Sequence, residues 1–352
     1  MLAVMTSGMT VFGAQESTGN AADDSKQSSF TYKKYSSHDD YFRALKYKMR
    51  TVSVGIAEHV DLDNIIPIPG LVKTCITSKG EETSATSYVP QGICSAGKYW
   101  LITAYDSGKK LKTVIYIVDT ESKELVSTVG VPNRYHAGGI AFDGENVWMT
   151  GDTSDKYKGN PFVQYIRWSD IEKKMSEPVC NISKKEISEP VYIKNKPSFL
   201  EYDDGVLWVG TYIGRKGTAE GYLNGYTIIR GENDVKLNTT IYSTIQGIDA
   251  SAQGADIEGN KLYVSSSYKG TVSDVRSSFV TSYDISPIKK KGEAVLLVTK
   301  RQEMRVEVPK MNEEIIVDDN NIYINFESAS EEWKRSVINT DRILAIKRSV
   351  WG

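Results

Sequence analysis

The sequence predicts an all-β fold: a five-bladed β-propeller with four strands per blade, its last blade closed by an N-terminal strand. Three observations predict it. First, a two-run unit recurs five times, as Val89-Pro90-Gln91-Gly92-Ile93 with Tyr99-Trp100-Leu101-Ile102, His136-Ala137-Gly138-Gly139-Ile140 with Val147-Trp148-Met149, Lys196-Pro197-Ser198-Phe199 with Leu207-Trp208-Val209, Gln253-Gly254-Ala255 with Leu262-Tyr263-Val264, and Asn312-Glu313-Glu314-Ile315 with Ile322-Tyr323-Ile324. A period near fifty residues is the mark of a propeller, solenoid or array. Second, the runs are joined by turns such as Asp143-Gly144-Glu145-Asn146 and Glu258-Gly259-Asn260, the residues that close hairpins between β-prone segments. Third, further strand-like runs follow each hairpin: 113–119 and 124–129, then 162–168, 226–230, 279–285 and 342–347. The fifth unit runs out of chain after its third strand, so an earlier segment must complete it, and residues 71–77 are the expected one. Such a join leaves no open sheet edge inside the ring.

Before the repeats, the uncharged, apolar residues 1–14 resemble a signal peptide with Val11-Phe12-Gly13-Ala14 at its exit. Residues 15–30, rich in Ser, Asp, Gly and Gln, cannot bury a core and read as a disordered linker. Residues 31–352 are expected to form the single propeller domain with an N-terminal extension, in a secreted or cell-surface bacterial protein. Tyr32-Lys33-Lys34-Tyr35 reads as a solvated lead-in and Lys289-Lys290-Lys291 as a solvated turn.

The net charge of −2 gives no reason to expect nucleic acid as partner. No apolar run reaches the length of a membrane span. Three cysteines, Cys75, Cys94 and Cys180, show no metal-ligand spacing and build no disulfide framework. No metal or other cofactor is expected, and a monomer is.

The aromatics at one place in every blade, Trp100, Trp148, Trp208, Tyr263 and Tyr323, are expected to fill the space between sheets rather than to stack a ligand. A site belongs at the mouth of the central channel, where inner strands begin and second strands end. The starts supply Gln91, His136, Lys196, Gln253, Asn312 and Glu313, and the ends Tyr105, Asp106, Asp152, Tyr212, Tyr268 and Glu327. Catalytic candidates are Glu313, Glu327 and His136. Neither GxSxG, HExxH nor a P-loop occurs.

Ile66-Pro67-Ile68-Pro69-Gly70-Leu71, Val89-Pro90-Gln91-Gly92-Ile93, Tyr116-Ile117-Val118-Asp119, His136-Ala137-Gly138-Gly139-Ile140-Ala141, Lys196-Pro197-Ser198-Phe199 and Asn325-Phe326-Glu327-Ser328 resemble an uncharacterised family of secreted bacterial β-propellers over residues 50–348. The resemblance implies fold and export. The chain departs from it at Asn312-Glu313-Glu314, where the family pattern is Ser-Glu-Gly. More distantly, Gln253-Gly254, Leu262-Tyr263-Val264-Ser265 and Met311-Asn312-Glu313 resemble phrases of five-bladed glutaminyl cyclases, whose channel-mouth glutamate would map onto Glu313. Two functions are therefore expected in competition. One is an exported binding or scaffold protein taking a peptide, glycan or cell-wall component at the mouth. The other is a propeller enzyme, a glutaminyl-cyclase-like transferase or a glycan-active hydrolase or lyase, using channel-mouth carboxylates.

Overall fold

The computed structural model describes residues 32–48, 56–78, 81–151, 160–214, 220–232, 234–267, 278–291, 294–336 and 338–352. The signal-like segment and the linker lie outside them. Five antiparallel blades form, each starting on the axis and running outward. Blade I holds Tyr88–Ala96, Tyr99–Asp106, Val114–Asp119 and Leu125–Gly130. Blade II holds Ile140–Phe142, Asn146–Gly151, Phe162–Arg167 and Val191–Tyr192. Blade III holds Phe199–Asp203, Val206–Gly210, Gly221–Arg230 and Ser243–Ile248. Blade IV holds Ala252–Glu258, Lys261–Ser266, Ser278–Asp284 and Gln302–Val308. Blade V holds Asn312–Val317, Asn321–Phe326 and Arg342–Lys347, completed by Ile66–Pro67.

The closing strand is thus earlier and shorter than expected. Ile66 pairs with Ile343 and Pro67 with Arg342, and an isolated bridge joins Val60 to Ile346. Thr74–Ser78, which overlaps the segment 71–77 expected to close the ring, instead forms a hairpin with Glu81–Ala85. Proline, which cannot donate to a ladder, fits the outermost position it takes here. Two short parallel strands, Val179–Asn181 and Val295–Leu297, extend the outer edges of blades I and III.

The core lies in layers between neighbouring blades. Trp148 packs with Leu207 and Val209 of blade III, and Trp208 with Ala255 and Val264 of blade IV. Tyr323 meets Trp100 of blade I, the ring centroids 4.5 Å apart. All five column aromatics are buried, as expected of inter-sheet filling. The glycines of the inner runs answer a separate demand, the close approach of strands at the axis. A Cβ on Gly254 would stand 2.4 Å from Glu314 Cα, and one on Gly139 would stand 2.5 Å from the backbone of Phe199. Lys289-Lys290-Lys291 is not a turn but the end of a short helix, Ser286–Lys291, with Lys289 paired to Asp203 of blade III.

Candidate functional site

Strand alternation alone would send Glu313 and Glu314 to opposite faces. A β-bulge changes that. Asn312 pairs with Phe326, but the next pair is Ile315 with Ile324, so Glu313 and Glu314 together oppose Asn325. The same irregularity falls at Gln91 and Gly92 in blade I and at Gln253 in blade IV. Bulges re-aim side chains, and these three stand at the mouth end of inner strands. Met311, just before the blade V bulge, holds a left-handed backbone with φ of 62°, a conformation an L residue keeps only where its surroundings impose it.

The mouth encloses a cavity of about 240 Å³, lined by Gln91, His136, Lys196, Pro197, Ser198, Tyr212, Gln253, Ser267, Met311, Glu313, Glu327 and Trp333. Seven of the twelve residues expected there therefore share one cavity. Tyr105 is not in the lining but stacks edge-on behind His136, the ring centroids 4.5 Å apart. Asp106 is a correction: its carboxylate accepts from Ser87 Oγ at 2.5 Å and from the backbone N–H groups of Gly108, Lys110 and Leu111, so it orders its own loop. Asn312 is another, fully buried with Nδ2 donating to the Phe279 carbonyl. Asp152 and Tyr268 lie outside the described residues.

At the cavity floor Glu313 and Glu327 are 2% and 8% exposed, and each perturbs the other's carboxyl. Burial, then repulsion from Glu327, pushes the Glu313 carboxyl well above its ordinary value. Burial also raises Glu327, to about 7, while donors hold it back. Those donors are Gln91 Nε2 at 3.1 Å and Trp333 Nε1 at 2.8 Å. Gln253 Nε2 donates to Glu313 Oε1 at 3.0 Å. Two carboxyls this close do not both ionise. The surroundings are unlike: Glu313 has one N–H donor, Gln253, and is pushed up further, while Glu327 has two, Gln91 and Trp333, which favours the proton on Glu313 and the charge on Glu327.

Glu314 and Trp333 were not anticipated. Glu314 fills the axis below the cavity and takes backbone N–H bonds from three blades: Ile93 at 3.1 Å, Ile140 at 3.2 Å and Leu200 at 3.0 Å. Glu201 and Asp256 bridge onward in the same way, to Ile257 N and Val317 N. Trp333, an aromatic in a polar loop, was the available signal for the cavity wall.

These buried acids make stability depend on pH. Burial raises Glu201, Glu313 and Glu314 well above the carboxylate range, and Asp256 and Glu327 to about 7. A group whose folded pKa is raised binds its proton more tightly when folded. Its stabilising contribution is complete below the unfolded value and is lost as pH rises through the folded one. His38, lowered by burial, runs the other way, but it is one group against five. The thermal midpoint is expected to fall between pH 5 and pH 8. A carboxyl moved to about 7 contributes of order 3 kcal/mol across that window. A midpoint that rises over the same range would contradict this burial chemistry.

No family model matches the chain, and no curated protein matches it in sequence. Among solved structures, a glutaminyl cyclase from Myxococcus xanthus is similar at 13% identity, covering 80% of this chain and 95% of that one, with a TM-score of 0.40. A functionally unknown protein from Desulfotomaculum acetoxidans is similar at 11% identity over 74% and 72%, TM-score 0.38. Hydrazine synthase of Kuenenia stuttgartiensis is similar at 12% identity over 82% and 93%, TM-score 0.38. Likenesses this low carry nothing about activity. Among the described residues no group of His, Cys, Asp and Glu could hold a metal ion, and no helix is long and apolar enough to cross a membrane.

Proposed function

We propose that the protein is a propeller enzyme that does acid–base chemistry with the Glu313–Glu327 pair, and that cyclisation of an N-terminal glutaminyl residue is the reaction the groups fit. The observation that carries this reading is the buried pair itself, two carboxyls 2% and 8% exposed on one cavity floor, both raised by burial. Catalytic acids and bases need values near the working pH, reached through burial and like-charge neighbours. The sequence phrases around Gln253 and Glu313 point the same way.

In this reading the Glu327 carboxylate takes a proton from the substrate's α-ammonium. The freed amine attacks the side-chain carboxamide carbon, forming the ring C–N bond. Glu313 gives its proton to the departing nitrogen, which leaves as ammonia when the C–NH₂ bond breaks. The ring nitrogen gives its second proton to the Glu313 carboxylate, and the ammonia takes the proton held by Glu327 and departs as ammonium, which restores the pair. Gln91, Gln253 and Trp333 hold the two carboxyls while Pro197 and Met311 supply apolar wall.

Ammonia release from short peptides beginning with Gln, followed by an enzyme-coupled assay, tests this. Peptides beginning with Asn or Glu serve as controls. Release from the Gln peptides alone is expected, whereas release from none overturns the reading. A second reading, an exported protein that binds a peptide or glycan at the mouth without turnover, is favoured by one observation. Both carboxyls already have protein donors, so they are satisfied before any ligand arrives.

A further inference from the structure

We propose that the N-terminal strap of residues 32–48 is a working part of the site: it holds the loop of residues 327–336 and 338–341, and so places Glu327 and Trp333 in their paired arrangement. This rests on the acid–base reading above. The strap runs far from the repeats in sequence yet ends on the loop that forms one wall of the cavity. It is not the solvated lead-in that its composition implied.

Its anchor is the dipeptide Asp341-Arg342 at the start of the third strand of blade V, both residues 0% exposed. The Arg342 guanidinium lies over the Tyr32 ring at 4.2 Å and the Tyr41 ring at 4.7 Å. It donates to the carbonyls of Tyr35 at 3.0 Å and Ser37 at 3.3 Å, and to Asp341 Oδ1. It also reaches His38 Nδ1 at 3.0 Å. Arginine only donates, so Nδ1 accepts and the imidazole proton sits on Nε2. Asp341 Oδ2 in turn accepts from the backbone N–H groups of Lys34 at 2.5 Å and Tyr35 at 3.1 Å.

Beyond the Asp341 bonds, two side-chain contacts reach the loop. Lys33 Nζ pairs with Glu331 at 2.6 Å, and Tyr41 Oη lies 3.0 Å from Thr340 Oγ1. Thr340 N donates to Ser328 Oγ at 2.8 Å, which ties the far end of the loop to the residue beside Glu327. Between these points consecutive turns, Ser330 N to Glu327 O and Trp333 N to Ser330 O, carry Trp333 round to face the Glu327 carboxylate. The strap adds no strand to the sheet, because Ile66–Pro67 and the Val60 bridge already close blade V, though its Tyr41 and Leu45 join the same core. What the strap grips is the site loop, and a loop held by few contacts opens readily.

The strap's hold on the loop can be loosened by Lys33→Ala with Tyr41→Phe, which deletes these two side-chain contacts and leaves the Asp341–Arg342 anchor in place. The readout is the pH dependence of the tryptophan emission that Trp333→Phe abolishes. It reports Glu327, whose other neighbours are Glu313, Gln91 and Glu332. In the parent this signal is expected to titrate near 7. In the double variant its midpoint is expected to fall by about one pH unit or more as Glu327 turns toward water. Lys33→Arg alone should keep the parent midpoint, and turnover should fall about tenfold in the double variant through lost positioning. An unchanged midpoint in the double variant overturns the proposal. A shifted midpoint in a protein that turns over no glutaminyl peptide upholds the strap and refutes the cyclase reading.

Discussion

Glu313→Gln is expected to reduce turnover about 10²- to 10⁴-fold, the usual scale for losing a positioned acid–base group. The thermal midpoint at neutral pH should hold or rise. Shape and charge both lead to this outcome. A glutamine amide matches the shape of a protonated glutamate, can accept from Gln253 Nε2 as Glu313 does, and can donate toward Glu327 in its place. It cannot release a proton to a leaving group. The substitution also removes a carboxyl that burial and Glu327 make costly to ionise, so stability has no reason to fall. A variant that unfolds would mark Glu313 as structural. A folded variant with altered affinity, beside a parent that turns nothing over, would favour the binding reading.

Trp148→Ala should cost about 3–5 kcal/mol, the range for deleting a fully buried indole. The ring is 0% exposed and packs between blades II and III. Its Nε1 donates to Asp143 Oδ2 at 2.7 Å, and Asp143 also accepts from the backbone of Glu145 and Asn146. Arg230 of blade III pairs with the same carboxylate at 3.4 Å. Losing Trp148 therefore opens a cavity and takes a donor from a buried charge. Trp208 is a natural contrast: it is equally enclosed, yet its Nε1 has no partner among the described residues. Replacement by Phe should accordingly cost more at Trp148 than at Trp208, by about 1 kcal/mol or more for the lost charged hydrogen bond. Urea denaturation of the three variants measures these costs, and equal costs of the Phe replacement at the two positions would contradict the role given to Asp143.

The blades could be read from the chain because each is a local event. Two β-prone runs and a turn fold on themselves, and five copies leave few alternatives. Closure depended on a distant pairing, and there propensity misled. Thr74–Ser78 is the more β-prone segment, but it has a partner seven residues away in Glu81–Ala85, and a short loop costs less entropy than a long one. Ile66–Pro67 carries no such local signal. At the mouth, the residues that begin inner strands were legible from topology alone. The bulge that turns Gln91, Gln253 and Glu313 toward the cavity was not, since one extra residue in a strand leaves no mark in composition. Glu314 departed visibly from the family phrase, yet only the fold shows it drawing the inner strands of three blades together. Trp333 and the strap of residues 32–48 meet the site through contacts that cross the whole chain, which no local pattern encodes.

The most direct measurement is a carboxyl carbon NMR titration of the glutamate-labelled protein, with Glu313→Gln and Glu327→Gln as the assigning variants. The account predicts a coupled pair: one resonance titrating near 7, its partner still protonated well above the ordinary carboxylate range, and each curve altered by removing the other residue. Two independent resonances, both titrating near the ordinary value of about 4.3 for glutamate, would contradict a shared proton and with it the acid–base site.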